Sequence, residues 1–330
     1  MRLSLCMIVR DEAFFIEECL EQVRPYVDEI VIVDTGSVDG TREIAERYAD
    51  CVLDFEWIDD FSAARNFGLD AATGDWLLVL DADERIAAGD YMAMREAMAN
   101  DSFDGYYLEQ RDYSNESLLR GRVSINPEEA YARGYTGYTT NKIMRLFRRS
   151  NAIRFQSPIH EIVDGTVSES RRAELHVPIH HYCYENPVRP RLDRAIRYMG
   201  MMEAELAKGD DARLLYIAGT TALYATKDYK KAEHYLRKSA KLGYQPEYSL
   251  EGAAEAAYRG GDLEIATNTY SQLYEGGYRS TGLCLNLANL SVKTGNRLKA
   301  IRLLEECLAL GGLGPEVNKV IENNIAALSS

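Results

Sequence analysis

The sequence predicts a mostly parallel, doubly wound α/β domain followed by an all-helical repeat domain. Three observations predict it. Apolar strand patterns and amphipathic helix patterns alternate through the first 90 residues. Beyond Pro187 and Pro190 every pattern is helical. Within that last third, one short pattern returns at a fixed interval.

The elements follow in order. Leu3–Val9 is a short apolar run read as a buried strand, and Glu12–Val23 carries Phe15, Ile16, Cys19, Leu20 and Val23 at helical spacing. Glu29–Val33 is a second buried strand, ended by the turn-forming Asp34-Thr35-Gly36-Ser37. Thr41–Tyr48 reads as helix, Cys51–Phe55 as strand, and Phe61–Ala72 as a helix stopped by Thr73-Gly74. Trp76–Leu80 is the most apolar strand of the set. In sheets of this kind ligands bind outside the carboxyl ends of the strands, and the polar clusters singled out below fall there. Further on, Tyr91–Ala99 is read as helix, and Tyr106–Arg111, Lys142–Phe147 and Ile153–Phe155 as strands, with more strand between Ile162 and Tyr184. The Asn115–Asn141 stretch has weak periodicity and leaves room for a mobile loop.

Asp228-Tyr229-Lys230-Lys231-Ala232, Asp262-Leu263-Glu264-Ile265-Ala266 and Asn296-Arg297-Leu298-Lys299-Ala300 recur at a spacing of 34 residues. The same offset relates Tyr216, Leu250 and Cys284. A helix–turn–helix period of this length is that of tetratricopeptide repeats. The predicted division is 1–186 for the α/β domain and 187–330 for the helical one.

Composition narrows the function. Hydrophobic residues at 46% and charged residues at 27% suit a globular chain. A net charge of −14 argues against a sequence-independent grip on nucleic acid, while leaving room for a local basic pocket. The six cysteines include no Cys-x-x-Cys pair, which fits a reducing compartment better than a disulfide framework or zinc site. Leu3–Val9 is too short for a signal peptide, and no apolar run approaches a bilayer span, so the expected location is the cytoplasm.

Asp81-Ala82-Asp83 closes the strand Trp76–Leu80. In an extended segment residues two apart point the same way, so both carboxylates are expected to face a hard divalent ion and a substrate diphosphate. The plain alternative is a solvated acidic turn.

Context decides between them. Ile30-Val31-Ile32-Val33-Asp34-Thr35-Gly36-Ser37-Val38-Asp39-Gly40-Thr41 resembles the strand–turn–helix signature of family 2 glycosyltransferases with the GT-A fold. Ser62-Ala63-Ala64-Arg65-Asn66-Phe67-Gly68-Leu69, and Ala72 through Glu84, are similar to that family's next block, which ends in its metal motif. Met7-Ile8-Val9-Arg10-Asp11-Glu12 resembles its first strand and turn. Order and spacing agree across about 80 residues, and three ordered motifs outweigh one.

The resemblance implies roles. Asp34 meets a base or ribose, Arg65 a phosphate or base, Asp81 the ribose or metal, and Asp83 the metal and diphosphate. Asp39 is a helix cap and a secondary nucleotide contact, and Val9 and Glu12 shape the base pocket. The implied cofactor is Mn²⁺ or Mg²⁺, and the implied donor a UDP-type nucleotide sugar.

Members of the family that carry C-terminal tetratricopeptide repeats are also similar here at Ser157-Pro158-Ile159-His160-Glu161 and Ile179-His180-His181-Tyr182-Cys183-Tyr184. His181 is a candidate third metal ligand, favouring Mn²⁺, with a core histidine as the plain alternative for it and for His180. Glu161 is the candidate general base of an inverting transfer, with His160 as a second candidate and an ion pair to Arg145 or Arg154 as the plain reading of Glu161. The repeats are read either as a dock for a peptide or protein acceptor, resembling the sublancin-type peptide S-glycosyltransferases, or as a platform for the first domain or a homodimer. Transfer to a glycan or lipid-linked acceptor, and a non-catalytic repeat scaffold, stay open as alternatives. A nucleotidyltransferase would need a Gly-rich basic loop after the first strand, and Met7–Glu12 has no glycine.

Overall fold

The computed structural model describes residues 1–116, 121–183, 185 and 191–329. The chain divides into two compact units, Met1–Asn115 with Ile125–Pro187, and Glu116–Ser124 with Val188–Ser330.

In chain order the strands are β1 (Leu3–Val9), β2 (Glu29–Asp34), β3 (Cys51–Asp54), β4 (Trp76–Val79), β5 (Glu84–Ile86), β6 (Gly105–Ser114), β7 (Val123–Ser124), β8 (Gly137–Arg148) and β9 (Arg172–His181). Helices α1 (Ile16–Val23), α2 (Thr41–Tyr48), α3 (Phe61–Ala71) and α4 (Asp90–Met98) lie between them. Across the sheet the order is β3-β2-β1-β4-β8-β6-β9-β5. The half built from the first three strands and β4 is parallel. The other half is mixed, with β8 antiparallel to β4 and β6, β9 parallel to β6, and β5 antiparallel to β9. The expected doubly wound sheet is therefore confined to residues up to Val79. Beyond it the antiparallel neighbours need no crossover helix, which is why the strand–helix rhythm fades from the sequence.

Alternation places Leu3, Leu5 and Met7 in one core and Cys6 in the other, on the two faces of the sheet. All four residues of β4 are buried, as expected for a strand covered on both sides. Two expectations change. Helix α1 starts at Ile16 rather than Glu12, because Asp11 adopts a φ of 54° and the amides of Phe15 and Ile16 both turn back onto the Glu12 carbonyl. Ile153–Phe155 is no strand. Ile153 and Phe155 are buried against the sheet without joining its ladder, so their apolar character mimicked a strand.

The second unit holds α5 (Arg191–Leu206), α6 (Ala212–Thr221), α7 (Tyr229–Lys241), α8 (Pro246–Gly260), α9 (Leu263–Glu275), α10 (Thr281–Lys293), α11 (Arg297–Leu310) and α12 (Pro315–Ser329). The period has a physical cause. Asp228, Asp262 and Asn296 each cap a helix, accepting the amide three residues on at 3.1 Å. Each cap follows a residue in the left-handed region, Lys227 at φ 56°, Gly261 at 89° and Gly295 at 77°. Ala232, Ala266 and Ala300 then stand fully buried on the same turn. Adjoining repeats also share a cation–π contact, Arg259 over Tyr224 at 5.4 Å and Lys293 over Tyr258 at 4.9 Å. At Gly219 a Cβ would meet Leu236 Cγ at 2.5 Å, so α6 and α7 approach closely only with glycine there. Among the described residues no helix is long and apolar enough to cross a membrane.

Replacing the cap Asp262 with Ala is expected to lower stability by about 1 kcal/mol, read as a shift in the midpoint of chemical unfolding.

Candidate functional site

The parallel strands β1, β2 and β4 deliver their carboxyl ends to one edge of the sheet. Val9 ends β1 and is buried. Asp34 ends β2, and its Oδ1 accepts the amides of Gly36 at 2.9 Å and Ser37 at 2.8 Å. This Asx-turn needs Gly36, whose φ is 101°. Asp34 Oδ2 accepts no bond among the described residues and is available to a ligand. The Glu12 amide donates to Thr41 Oγ1 at 2.7 Å. Asp39 accepts the Thr41 amide at 2.9 Å and the Ala13 amide at 3.1 Å, tying the start of α2 to the loop after β1. The cap position itself is Gly40.

Asp81 and Asp83 do not extend β4. The strand ends at Val79, and the Glu84 amide closes a turn onto the Asp81 carbonyl at 3.0 Å. The same-side argument from an extended segment therefore does not hold. Fully buried Arg85 secures the turn, giving Nη1 to the carbonyls of Ala82 and Glu84 at 2.7 and 2.8 Å, and Nη2 to Phe15 and Glu18 of the α1 region at 2.9 and 3.0 Å.

The two aspartates have different surroundings. Asp81 Oδ1 accepts Arg65 Nη2 at 2.9 Å, and its Oδ2 accepts Arg145 Nη2 at 2.8 Å. Arg65 Nε reaches Glu161 Oε1 at 2.5 Å, so one guanidinium joins the acidic turn to the Ser157–Glu161 segment. Arg145 also meets Glu84 Oε1 at 3.2 Å. Glu84 is fully buried, with Oε2 on the Asp81 amide at 2.8 Å and Oε1 on Gln110 at 2.6 Å. Burial disfavours the Asp81 charge, but Arg65 and then Arg145 outweigh it and hold the carboxyl well below the usual range. Burial pushes the Glu84 carboxyl up instead, only partly countered by Arg145. Arg65 Nη1 and Arg145 Nε are buried with no hydrogen-bond partner among the described residues.

Glu161 pairs with Arg65, not with Arg145 or Arg154, and its Oε2 accepts no bond among the described residues. Helix α3 holds the segment that carries it. The Phe61 amide donates to the Pro158 carbonyl at 2.9 Å, the Ser62 hydroxyl to Ser157, and Asn66 exchanges two bonds with Phe155 at 2.9 and 3.0 Å. The Gln156–Ile162 bridge closes the loop, with Ser157 and His160 both at positive φ, 76° and 53°.

Asp83 lies beside His181, Oδ2 to Nε2 at 3.5 Å. On the other side of the ring His181 Nδ1 bonds Asp112 Oδ1 at 2.6 Å. Burial opposes the His181 charge, yet Asp112 and Asp83 overcome it and raise the pKa well above the ordinary value. His180 is a core histidine, bonded through Nδ1 to the Tyr113 hydroxyl at 2.7 Å and stacked on Tyr131 at 4.2 Å. Burial, then Arg111 and Arg133, lowers it to about 4. Tyr184, the last residue of the His180 motif, lies outside the described residues, as do 117–120 within Asn115–Asn141.

Sequence reasoning left Glu84, Arg145 and Asp112 without a place in the site. Glu84 stood at the end of the acidic motif and Arg145 entered only as a partner for Glu161. Asp112 is 69 residues from His181 and carried no local signal.

The fold and the acidic turn at the edge of its parallel strands define a class. Residues 4–163 match the family described as Glycosyl transferase family 2. The first unit carries this match to the family 2 glycosyltransferases, and helical repeats of the tetratricopeptide type follow it. A TPR repeat-containing protein of Synechococcus elongatus is 35% identical over 282 residues, 82% of this chain and 65% of that one. The SPbeta prophage-derived glycosyltransferase SunS of Bacillus subtilis is 27% identical over 160 residues, 47% of this chain and 33% of SunS. The chain thus spans less than two thirds of the length of either relative. The solved structure of S. aureus TarS 1–349 in complex with UDP-GlcNAc matches at a TM-score of 0.44 and 15% identity, over 84% of this chain and 93% of that one.

Arg65→Met leaves Asp81 and Glu161 short of a buried partner and is expected to cost about 3 kcal/mol. Arg154→Met, which loses a half-exposed pair with Asp70 and solvent-side bonds to the Ser150 and Ile153 carbonyls and to Asn151, is expected to cost less than Arg65→Met, about 1 kcal/mol. Urea unfolding of both variants checks the contrast.

Proposed function

We propose that the protein transfers a sugar from a UDP-type nucleotide sugar to an acceptor, with residues 1–186 as the catalytic domain and 187–330 as the repeat domain. The observation that carries this reading is the acidic turn at the carboxyl edge of a parallel sheet, with Asp81 held between two buried guanidiniums. Asp34 Oδ2 supplies an acceptor for ribose or base at the neighbouring strand end, Val9 and Glu12 shape that slot, and Asp39 supports it through Thr41. The unpartnered N–H group of Arg65 offers a donor to an anionic ligand.

A divalent ion suits the residues present in one respect. Among the described residues no group of three or more His, Cys, Asp or Glu side chains is arranged to hold a metal by itself. Yet Mg²⁺ and Mn²⁺ sites of this kind take few protein ligands and are completed by phosphate oxygens and water. Asp112 holds Nδ1 of His181 and leaves Nε2 beside Asp83, the usual arrangement for a metal-binding imidazole. Asp83 and His181 would hold the ion, favouring Mn²⁺, and Asp81 would turn its remaining lone pairs to the ion or the ribose. When bound, the metal neutralises charge on the departing diphosphate.

Glu161 takes the acceptor proton in an inverting displacement, using Oε2 while Oε1 stays on Arg65. His160, at the strained position beside it, is the second candidate base. The helical repeats support a peptide or protein acceptor, since stacked helix pairs form extended binding surfaces.

UDP with Mn²⁺ is expected to raise the melting temperature, and UDP with chelator to raise it far less. Asp83→Asn is expected to remove the metal-dependent part, and Asp112→Asn to weaken Mn²⁺ affinity by about 10- to 100-fold. Equal stabilisation by UDP with and without metal, unchanged in Asp83→Asn, sinks the metal-dependent reading. Hydrolysis of a panel of nucleotide sugars then identifies the donor.

A further inference from the structure

We propose that Glu84 and Arg145 are a positioning pair that fixes the Asp81 carboxylate for donor binding, with Arg145 acting through Asp81. The inference rests on the donor-site reading above and names what sets the geometry of that site.

Three contacts form a closed ring. The Asp81 side chain accepts Arg145 Nη2, Arg145 Nη2 also meets Glu84 Oε1, and Glu84 Oε2 accepts the Asp81 amide. Glu84 thus holds Asp81 twice, by its backbone directly and by its carboxylate through Arg145. With Arg65 on the opposite oxygen at 2.9 Å, both carboxylate oxygens are fixed and the plane of the group is set. Arg65 comes from α3, Arg145 from β8, and Glu84 from the start of β5, so three separate elements converge on Asp81.

Stability does not account for this ring. Glu84 is fully exposed to the cost of burial, with none of its surface in water, and Arg145 is 8% exposed. Removing two such ions from water costs several kcal/mol each, and well-packed apolar residues of the same volume do as well or better. What apolar residues cannot do is orient a carboxylate. Arg145 keeps its Nε without a partner among the described residues, so its hydrogen bonding is not saturated even though it is buried. The guanidinium is placed for Asp81 and Glu84 at the expense of its own satisfaction.

The test is a double-mutant cycle on UDP affinity, measured calorimetrically with Mn²⁺. Arg145→Met is expected to weaken UDP binding about tenfold in the otherwise native chain and by less than about twofold in an Asp81→Asn background. Arg145→Lys, which restores a cation, is expected to recover most of the loss. Equal losses in both backgrounds, or none in either, overturn the pair while leaving the donor-site reading intact. Where Arg145→Met does not fold, Glu84→Gln takes its place in the cycle, keeping the shape and losing the charge. Where Asp81→Asn binds no UDP, the Met and Lys variants decide. Affinity that follows the charge at position 145 supports the pair, and affinity indifferent to it overturns the pair. A native chain that binds no UDP, GDP or other nucleoside diphosphate overturns the donor-site reading, and the pair's role with it.

Discussion

Asp81 sits between two guanidiniums that reach it from different elements, and neither arginine has much contact with water. Charges buried in this number are tolerated only when each carboxylate meets a guanidinium in the right place. The positions of α3, β8 and the turn after β4 are therefore set together. A shift of any of them by an ångström would strand a buried ion. The precision of the site and the packing of the sheet edge are in this sense one constraint.

From Arg65 the constraint passes to the loop that carries Glu161. Helix α3 supplies Ser62, Arg65 and Asn66, and all three bond to residues between Phe155 and Glu161. Their grouping within five residues follows from the helix period, since side chains three and four apart share a face. The loop in turn tolerates positive φ at Ser157 and His160 because it is closed by the Gln156–Ile162 bridge and clamped by α3.

The second unit obeys a different logic. Its stability is built from repeated local devices: a cap, a left-handed residue before it and a small residue after it, returning with each helix pair. Lys227 occupies the position held elsewhere by Gly261 and Gly295, so the first repeat accepts a strained residue where the others have glycine. No long-range ionic ring is needed where neighbours recur at fixed spacing.

These contrasts explain what was legible in the residues alone. The parallel half of the sheet, the repeat period and the candidates Asp34, Arg65, Asp81 and Asp83 could be read directly, because period-2 and period-3.6 patterns, caps and ordered motifs are properties of neighbouring residues. The mixed half of the sheet, the false strand at Ile153–Phe155 and the true start of α1 could not, since pairing partners and the turn at Asp11 depend on distant chain. Nor could the partners of the acidic turn. Glu161 lies 96 residues from Arg65, and Arg145 lies 64 from Asp81. A buried charge has a strong requirement for a partner but no preference for where in the sequence it comes from. The sequence by itself determined which groups are candidates for the chemistry, and only the tertiary structure decided which of them hold one another in place.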